Sequence, residues 1–141
     1  MNASLVTETL AVGGADAAAA MRRRGFALVC VADNLPAPPD GHHFPMADGS
    51  GSDANLMAMG LRHVARRLAE GRPVYVYCRH GMNRSVCVAA AALKLSGRCR
   101  WVSEGVALVK AARAVAAPRD DTLAEVLAVV MRLAPPGPNH E

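Results

Sequence analysis

The sequence predicts an α/β fold, a mostly parallel sheet of four to five strands flanked by helices on both faces. Three observations carry that expectation. Short apolar, β-prone runs at Leu10–Val12, Ala27–Val31, His42–Met46 and Val74–Tyr77 alternate with stretches that carry helical start and stop signals. Hydrophobic residues make up 52% of the chain but aromatics only 4%, so the core must be Ala, Val and Leu, as in strands buried on both faces. The most strongly β-prone run, Val74-Tyr75-Val76-Tyr77, leads directly into Cys78-Arg79-His80-Gly81-Met82-Asn83-Arg84-Ser85 and then the small apolar stretch Val86 to Leu95. That is a buried strand, a tight loop and a helix, with the loop at a strand's carboxyl end, where such sheets hold ligands.

Each element has its own signals. Leu5-Val6-Thr7 and Leu10-Ala11-Val12 are short β-prone pieces closed by Gly13-Gly14. Asp16 is placed to cap a helix that runs through Arg24 and stops at Gly25. Arg22, Arg23 and Arg24 then read as a solvated helix end. Asp33 to Gly41, with Pro36, Pro38 and Pro39, is a loop. His42 and His43 are adjacent in the next strand, so they face opposite sides and do not share a metal. Met46 to Asp53 is polar and glycine-rich, and Asp53 precedes the helix Ala54 to Glu70 as a cap. In that helix Leu56, Met59, Leu61, Val64 and Leu68 form the apolar side, with Met57 and Met59 as core filler. Ser85 to Ser96 is a buried helix, Ser103-Glu104 opens another to about Ala114, and Asp120-Asp121 starts a last one, Thr122 to Leu133. Residues 1–141 are expected to form one domain, with 134–141 as a flexible tail.

Composition narrows the function classes. A net charge of +4 suits an anionic substrate without dictating one. No apolar run approaches transmembrane length, and no secretory signal stands at the start. The four cysteines, Cys30, Cys78, Cys87 and Cys99, form no C-x-x-C pair and no metal-ligand spacing, so a reducing, cytoplasmic setting and no metal are expected.

The loop from Cys78 to Ser85 carries the chemistry. It ends at a helix N-terminus, where N–H groups point inward and the dipole is positive, which makes an anion cradle. Gly81 supplies backbone freedom for the curve. Arg84 can hold two phosphate oxygens with its planar fork. Cys78 lies in the same positive field, which favours its thiolate. Requiring Gly three positions after Cys, Arg six after it and Ser or Thr seven after it brings the chance expectation in a chain of this composition to about 0.002.

At Cys78, Gly81, Arg84 and Ser85 the chain resembles the cysteine-dependent phosphatases, whose signature is His-Cys, five residues, Arg, Ser/Thr. Its nearest subgroup looks like the small dual-specificity phosphatases. Tyr77 stands where that family has His. The resemblance continues in Leu10-Ala-Val-Gly-Gly14 and Gly25-Phe-Ala-Leu-Val29, and it loosens at Ala117-Pro-Arg-Asp120. It implies a metal- and cofactor-independent phosphomonoester hydrolase that works through a cysteinyl-phosphate. Cys78 is then the nucleophile. Arg84 and the loop residues Arg79, His80, Gly81, Met82 and Asn83 bind the phosphate, and Ser85 assists departure of the thiolate. The general acid of that family lies on a loop about thirty residues before the Cys. Asp48 fits, following Pro45-Met46-Ala47, with Asp53 as its competitor.

A phosphorylated protein (Tyr, Ser or Thr) is the substrate this resemblance favours. His80 and Asn83 also match the RNA 5′-phosphatase branch, and the basic loop side chains suit a phosphoinositide. A phosphate-binding module without turnover is the remaining alternative. The resembling fold makes the strands ending at Cys30 and Cys78 neighbours, which suggests a reversible disulfide between them if the sulfurs point the same way.

Overall fold

The computed structural model describes residues 1–134. Its sheet has five strands: β1 (Ala3–Leu5), β2 (Leu10–Gly14), β3 (Ala27–Ala32), β4 (His42–Met46) and β5 (Val74–Cys78). Their order is β1-β2-β5-β3-β4, with β1 antiparallel to β2 and every other pairing parallel. Five α-helices accompany it: α1 (Ala18–Arg23), α2 (Ala54–Ala69), α3 (Arg84–Leu95), α4 (Val102–Ala112) and α5 (Asp120–Leu133). Helix α1 covers the sheet face that carries Leu28 and Tyr77. Helix α3 lies across β2, β3 and β5, and α2, α4 and α5 pack around it. The expected mostly parallel α/β sheet with helices on both faces is the observed architecture.

The centre of this arrangement is the β5–α3 unit. All five residues of β5 are buried, and so is every residue from Arg84 to Leu93. The run Ala89-Ala90-Ala91-Ala92 has no side chain beyond Cβ, which lets neighbouring backbones approach closely. Gly105 of α4 shows how closely, since a Cβ there would lie 2.4 Å from the Ala90 carbonyl oxygen. Each fully buried Val or Leu contributes roughly 1.5–3 kcal/mol, so a core of small aliphatic side chains suffices without aromatic bulk.

Several local expectations are corrected. β1 begins at Ala3, two residues before the first β-prone run. Asp16 does not cap a helix through Arg24. It sits in a single 3-10 turn, Ala15–Ala17, and accepts a hydrogen bond from Asn2 Nδ2 at 3.0 Å. Asp53 does cap α2, accepting from Asn55 N at 2.8 Å and Leu56 N at 3.0 Å. Met57 is buried but Met59 is 54% exposed, because the buried stripe of α2 runs through Met57, Leu61, Val64 and Leu68. Of the expected tail, Ala134 ends the last helix as its C-cap and the remainder lies outside the described residues. Among the described residues no helix is long and apolar enough to cross a membrane.

Candidate active site

Cys78 is the last residue of β5 and Arg84 the first of α3, so the loop between them joins a central strand to a buried helix. Such a loop binds anions only if its N–H groups face inward, and here its carbonyls are held on the outside. Arg79 O accepts from Ala15 N at 3.2 Å, and Met82 O accepts from Ala117 N at 2.7 Å. His80 O and Gly81 O accept from Arg113, at 3.1 Å from Nη2 and 2.7 Å from Nε. Four consecutive carbonyls are thereby turned away from the centre, and the N–H edge of the loop is left to line it. Gly81 takes φ +70°, and a Cβ there would meet the Gly13 carbonyl carbon at 2.4 Å.

Arg113 is 4% exposed and is the chief outside support. It also donates to Ser4 Oγ at 3.2 Å and to Asn2 Oδ1. Beneath it Tyr75 donates its hydroxyl to Gly14 O at 2.6 Å. The sequence reading missed Arg113, Asn2 and Tyr75, because no local pattern separates Arg113 from the other basic residues.

Cys78 is buried with its Sγ 3.2 Å from Ser85 Oγ. Burial pushes the thiol up, but the Ser85 hydroxyl, the Ser85 and Gly81 N–H groups and the Arg84 guanidinium outweigh it, and the thiol ends below its ordinary value. Arg84 is almost fully enclosed. Its Nη1 donates to Asp33 Oδ1 at 3.0 Å and to Met46 O at 3.1 Å, and its Nη2 donates to Asn34 Oδ1 at 3.1 Å. These bonds orient the guanidinium while its buried Nε keeps a donor with no protein partner. A buried donor of that kind fits an anion in the cradle.

Asp48 lies on the same cavity as Cys78, a space of about 360 Å³ also lined by Asn34, Arg79, His80, Asn83 and Arg119. Asn34 and Arg119 were not anticipated. Asn83 was read as a phosphate ligand, but its side chain is taken up elsewhere. It donates to Asp48 Oδ1 at 2.7 Å and Thr122 Oγ1 at 2.8 Å, and its oxygen accepts from Arg119 N at 2.7 Å. Asp53 is occupied at the start of α2 as its cap.

The Cys30–Cys78 pairing is not supported. In the β3–β5 register Cys30 lies opposite Tyr77, not Cys78, so its side chain shares the Tyr77 face of the sheet while Cys78 points to the other. Tyr77 therefore faces away from Cys78, on the side of the sheet that carries Cys30. Among the described residues, no three His, Cys, Asp or Glu side chains converge as a metal site.

No protein-family model matches the sequence, and no curated protein matches it either. Solved structures do. Human DUSP28 superposes with a TM-score of 0.80 at 24% identity, covering 95% of this chain and 96% of that one. A mouse chain described as a dual specificity phosphatase, complexed with zinc tungstate, gives 0.76 at 26% identity over 94% and 88%. PTPMT1 in complex with PI(5)P gives 0.72 at 12% identity over 95% and 97%. These superpositions extend over nearly the full length of this chain, and the fold of this chain is that of the dual-specificity and tyrosine phosphatases.

Proposed function

We propose that the protein is a phosphomonoester hydrolase that acts through a cysteinyl-phosphate on phosphorylated Tyr, Ser or Thr of a protein. The observation that carries this reading is the state of Cys78: a buried thiol held below its ordinary pKa by donors that surround a cavity. Burial alone drives a thiol the other way, so the depression comes from the loop.

The steps follow from the residues. The Cys78 thiolate attacks phosphorus from the side opposite the leaving oxygen, forming S–P as P–O breaks. The bridging electron pair stays on the leaving oxygen, which takes a proton from Asp48. The loop N–H groups and Arg84 Nε hold the nonbridging oxygens as charge spreads over them. Water then attacks the cysteinyl-phosphate. Asp48 removes its proton, O–P forms, and S–P breaks. The Ser85 hydroxyl donates to the departing thiolate, and inorganic phosphate leaves. The Arg84 guanidinium, fixed by Asp33, Asn34 and Met46, supplies the positive charge.

The engaged Asp48 favours a protein substrate over an RNA 5′-phosphate. A seryl or tyrosyl oxygen is a poor leaving group that needs such an acid, and the RNA 5′-phosphatase branch generally lacks it. Turnover of p-nitrophenyl phosphate by the wild type, with trapping but no turnover by Cys78→Ser, is the expected result. Retained turnover in Cys78→Ser overturns the nucleophile. A panel of phosphopeptides, PI(5)P and RNA 5′-triphosphate sorts the substrate, and preference for either of the last two overturns the protein assignment.

A further inference from the structure

The segment that carries Asp48 is glycine-rich and polar, a composition that ordinarily gives a mobile loop. Here it is fastened at several points to elements far away in sequence. Thr122, on the first turn of α5, donates its hydroxyl to Gly49 O at 3.1 Å. Glu125, one turn further along, accepts from Gly51 N at 2.7 Å and Ser52 N at 3.1 Å with its two carboxylate oxygens. Ser52 Oγ closes the segment on itself by accepting from Ala47 N at 2.9 Å. Asn83 then joins the Asp48 carboxylate to Thr122.

The direction of each bond is fixed by chemistry. Arg119 N can only donate, so the Asn83 atom facing it must be the amide oxygen, and the amide nitrogen must face Asp48 and Thr122. A hydroxyl has one proton. Thr122 gives its own to Gly49 O and so accepts from Asn83. The chain therefore runs one way, from the Asn83 amide through the Thr122 hydroxyl to the Gly49 carbonyl. Its second branch reaches Asp48 Oδ1, which must be an acceptor. In a protonated carboxyl group the accepting oxygen is the carbonyl one, so the acidic proton is left on Oδ2.

We propose that Asn83, Thr122 and Glu125 are positioning residues that clamp the Asp48 segment to α5 and to the phosphate loop, and so fix which oxygen of Asp48 delivers the proton. The proposal rests on the acid role given to Asp48 above. Asn83 is 7% exposed and Thr122 is fully buried, so the bonds from Asn83 to Thr122 and from Thr122 to Gly49 O are shielded from water. The acid is thereby set before substrate arrives, and no loop has to close over it.

The test compares two substrates, phenyl phosphate, whose leaving group needs a proton, and p-nitrophenyl phosphate, whose leaving group does so far less. Asn83→Ala and Thr122→Val should each lower kcat on phenyl phosphate by roughly 10- to 100-fold, within the share general acid catalysis supplies. On p-nitrophenyl phosphate the loss should stay within about threefold, and inhibition by orthovanadate should be unchanged, because the cradle is intact. Thr122→Ser, which keeps the hydroxyl, should recover the phenyl phosphate rate. Glu125→Ala gives the same split through the other arm and keeps the test decisive if Asn83→Ala fails to fold. Equal losses on both substrates, or a Thr122→Ser variant as impaired as Thr122→Val, overturn the clamp. Asp48→Asn run alongside separates the two levels. If it gives no split, the acid assignment fails; if it does and the clamp variants do not, only the clamp fails.

Discussion

Cys30 and Cys78 stand on adjacent strands, both are buried, and they behave in opposite ways. Burial pushes the Cys30 thiol up, and its contacts with Ala32 and Tyr77 do not offset that. Cys78 ends lowered despite burial. Cys87, on α3, is pushed up to about 12 by burial and by the nearby Cys78, Asp121 and Asp48. Burial is common to all three. What Cys78 has and the others lack is the inward N–H edge and the Ser85 hydroxyl. The lowering at Cys78 is therefore produced by the loop that follows it rather than by concealment of the sulfur.

The sharpest way to break that contrast is alkylation. Because the Cys78 thiol is lowered, its thiolate persists as pH falls, so the labelling rate of Cys78 by iodoacetamide should show a midpoint below the roughly 8.5 of an ordinary cysteine. At neutral pH Cys78 should label at least about 100-fold faster than Cys30, read by mass spectrometry. Comparable labelling of the two would remove the basis for treating them as different.

Deforming the loop comes next. Gly81→Ala would force a Cβ to within 2.4 Å of the Gly13 carbonyl carbon and 2.6 Å of Arg113 Nη2, at a φ that disfavours it. A loss of roughly 10²-fold in kcat/KM is expected from the displaced cradle. Cys30→Ala, at the unreactive thiol, should change it by less than about twofold.

Ser85→Ala removes one donor to the sulfur. A hydrogen bond to a charged group is worth about 1.5–3 kcal/mol, so kcat should fall by roughly 10-fold or more, and the alkylation midpoint should move up. Trapped cysteinyl-phosphate should accumulate, visible as a burst on rapid mixing. An unchanged midpoint would mean that the N–H groups alone hold the thiolate.

A small effect is also expected at Tyr77. Its ring lies on the Cys30 face, stacked at 5.5 Å on Tyr75. Tyr77→Phe should alter kcat on p-nitrophenyl phosphate by less than about threefold, since the substitution leaves the loop untouched. A large loss of activity would show that the residue before the nucleophile acts through the sheet.

How much of this was legible in the sequence depends on the range of the interaction. The β5–loop–α3 unit could be read because its signals are contiguous: β-branched and aromatic residues, then Cys, Gly and Arg at fixed offsets, then small apolar residues. That Asp48 shares the cavity with Cys78 was reachable only through the family resemblance, and the Asp53 cap through its position before α2. Arg113, Glu125 and Thr122 were not, since each acts through a contact made only after the chain folds back on itself. The Asp16 cap failed for the same reason. Its carboxylate is claimed by Asn2, across the β1–β2 pairing, in place of its own turn. Met59 was misassigned because a one-residue rotation of the helical stripe exposes it in favour of Met57.

The outward anchoring of the loop carbonyls also bears on how the protein assembles. The anchors are drawn from Ala15, Arg113 and Ala117, and Arg113 is itself steadied by Asn2, 111 positions away. Local helices form early and contacts of such separation form late. In a refolding experiment, recovery of catalytic competence should trail recovery of helical signal, with the cradle among the last features to appear. Turnover would then report completion of the whole topology, from the first strand to the helices that follow the loop.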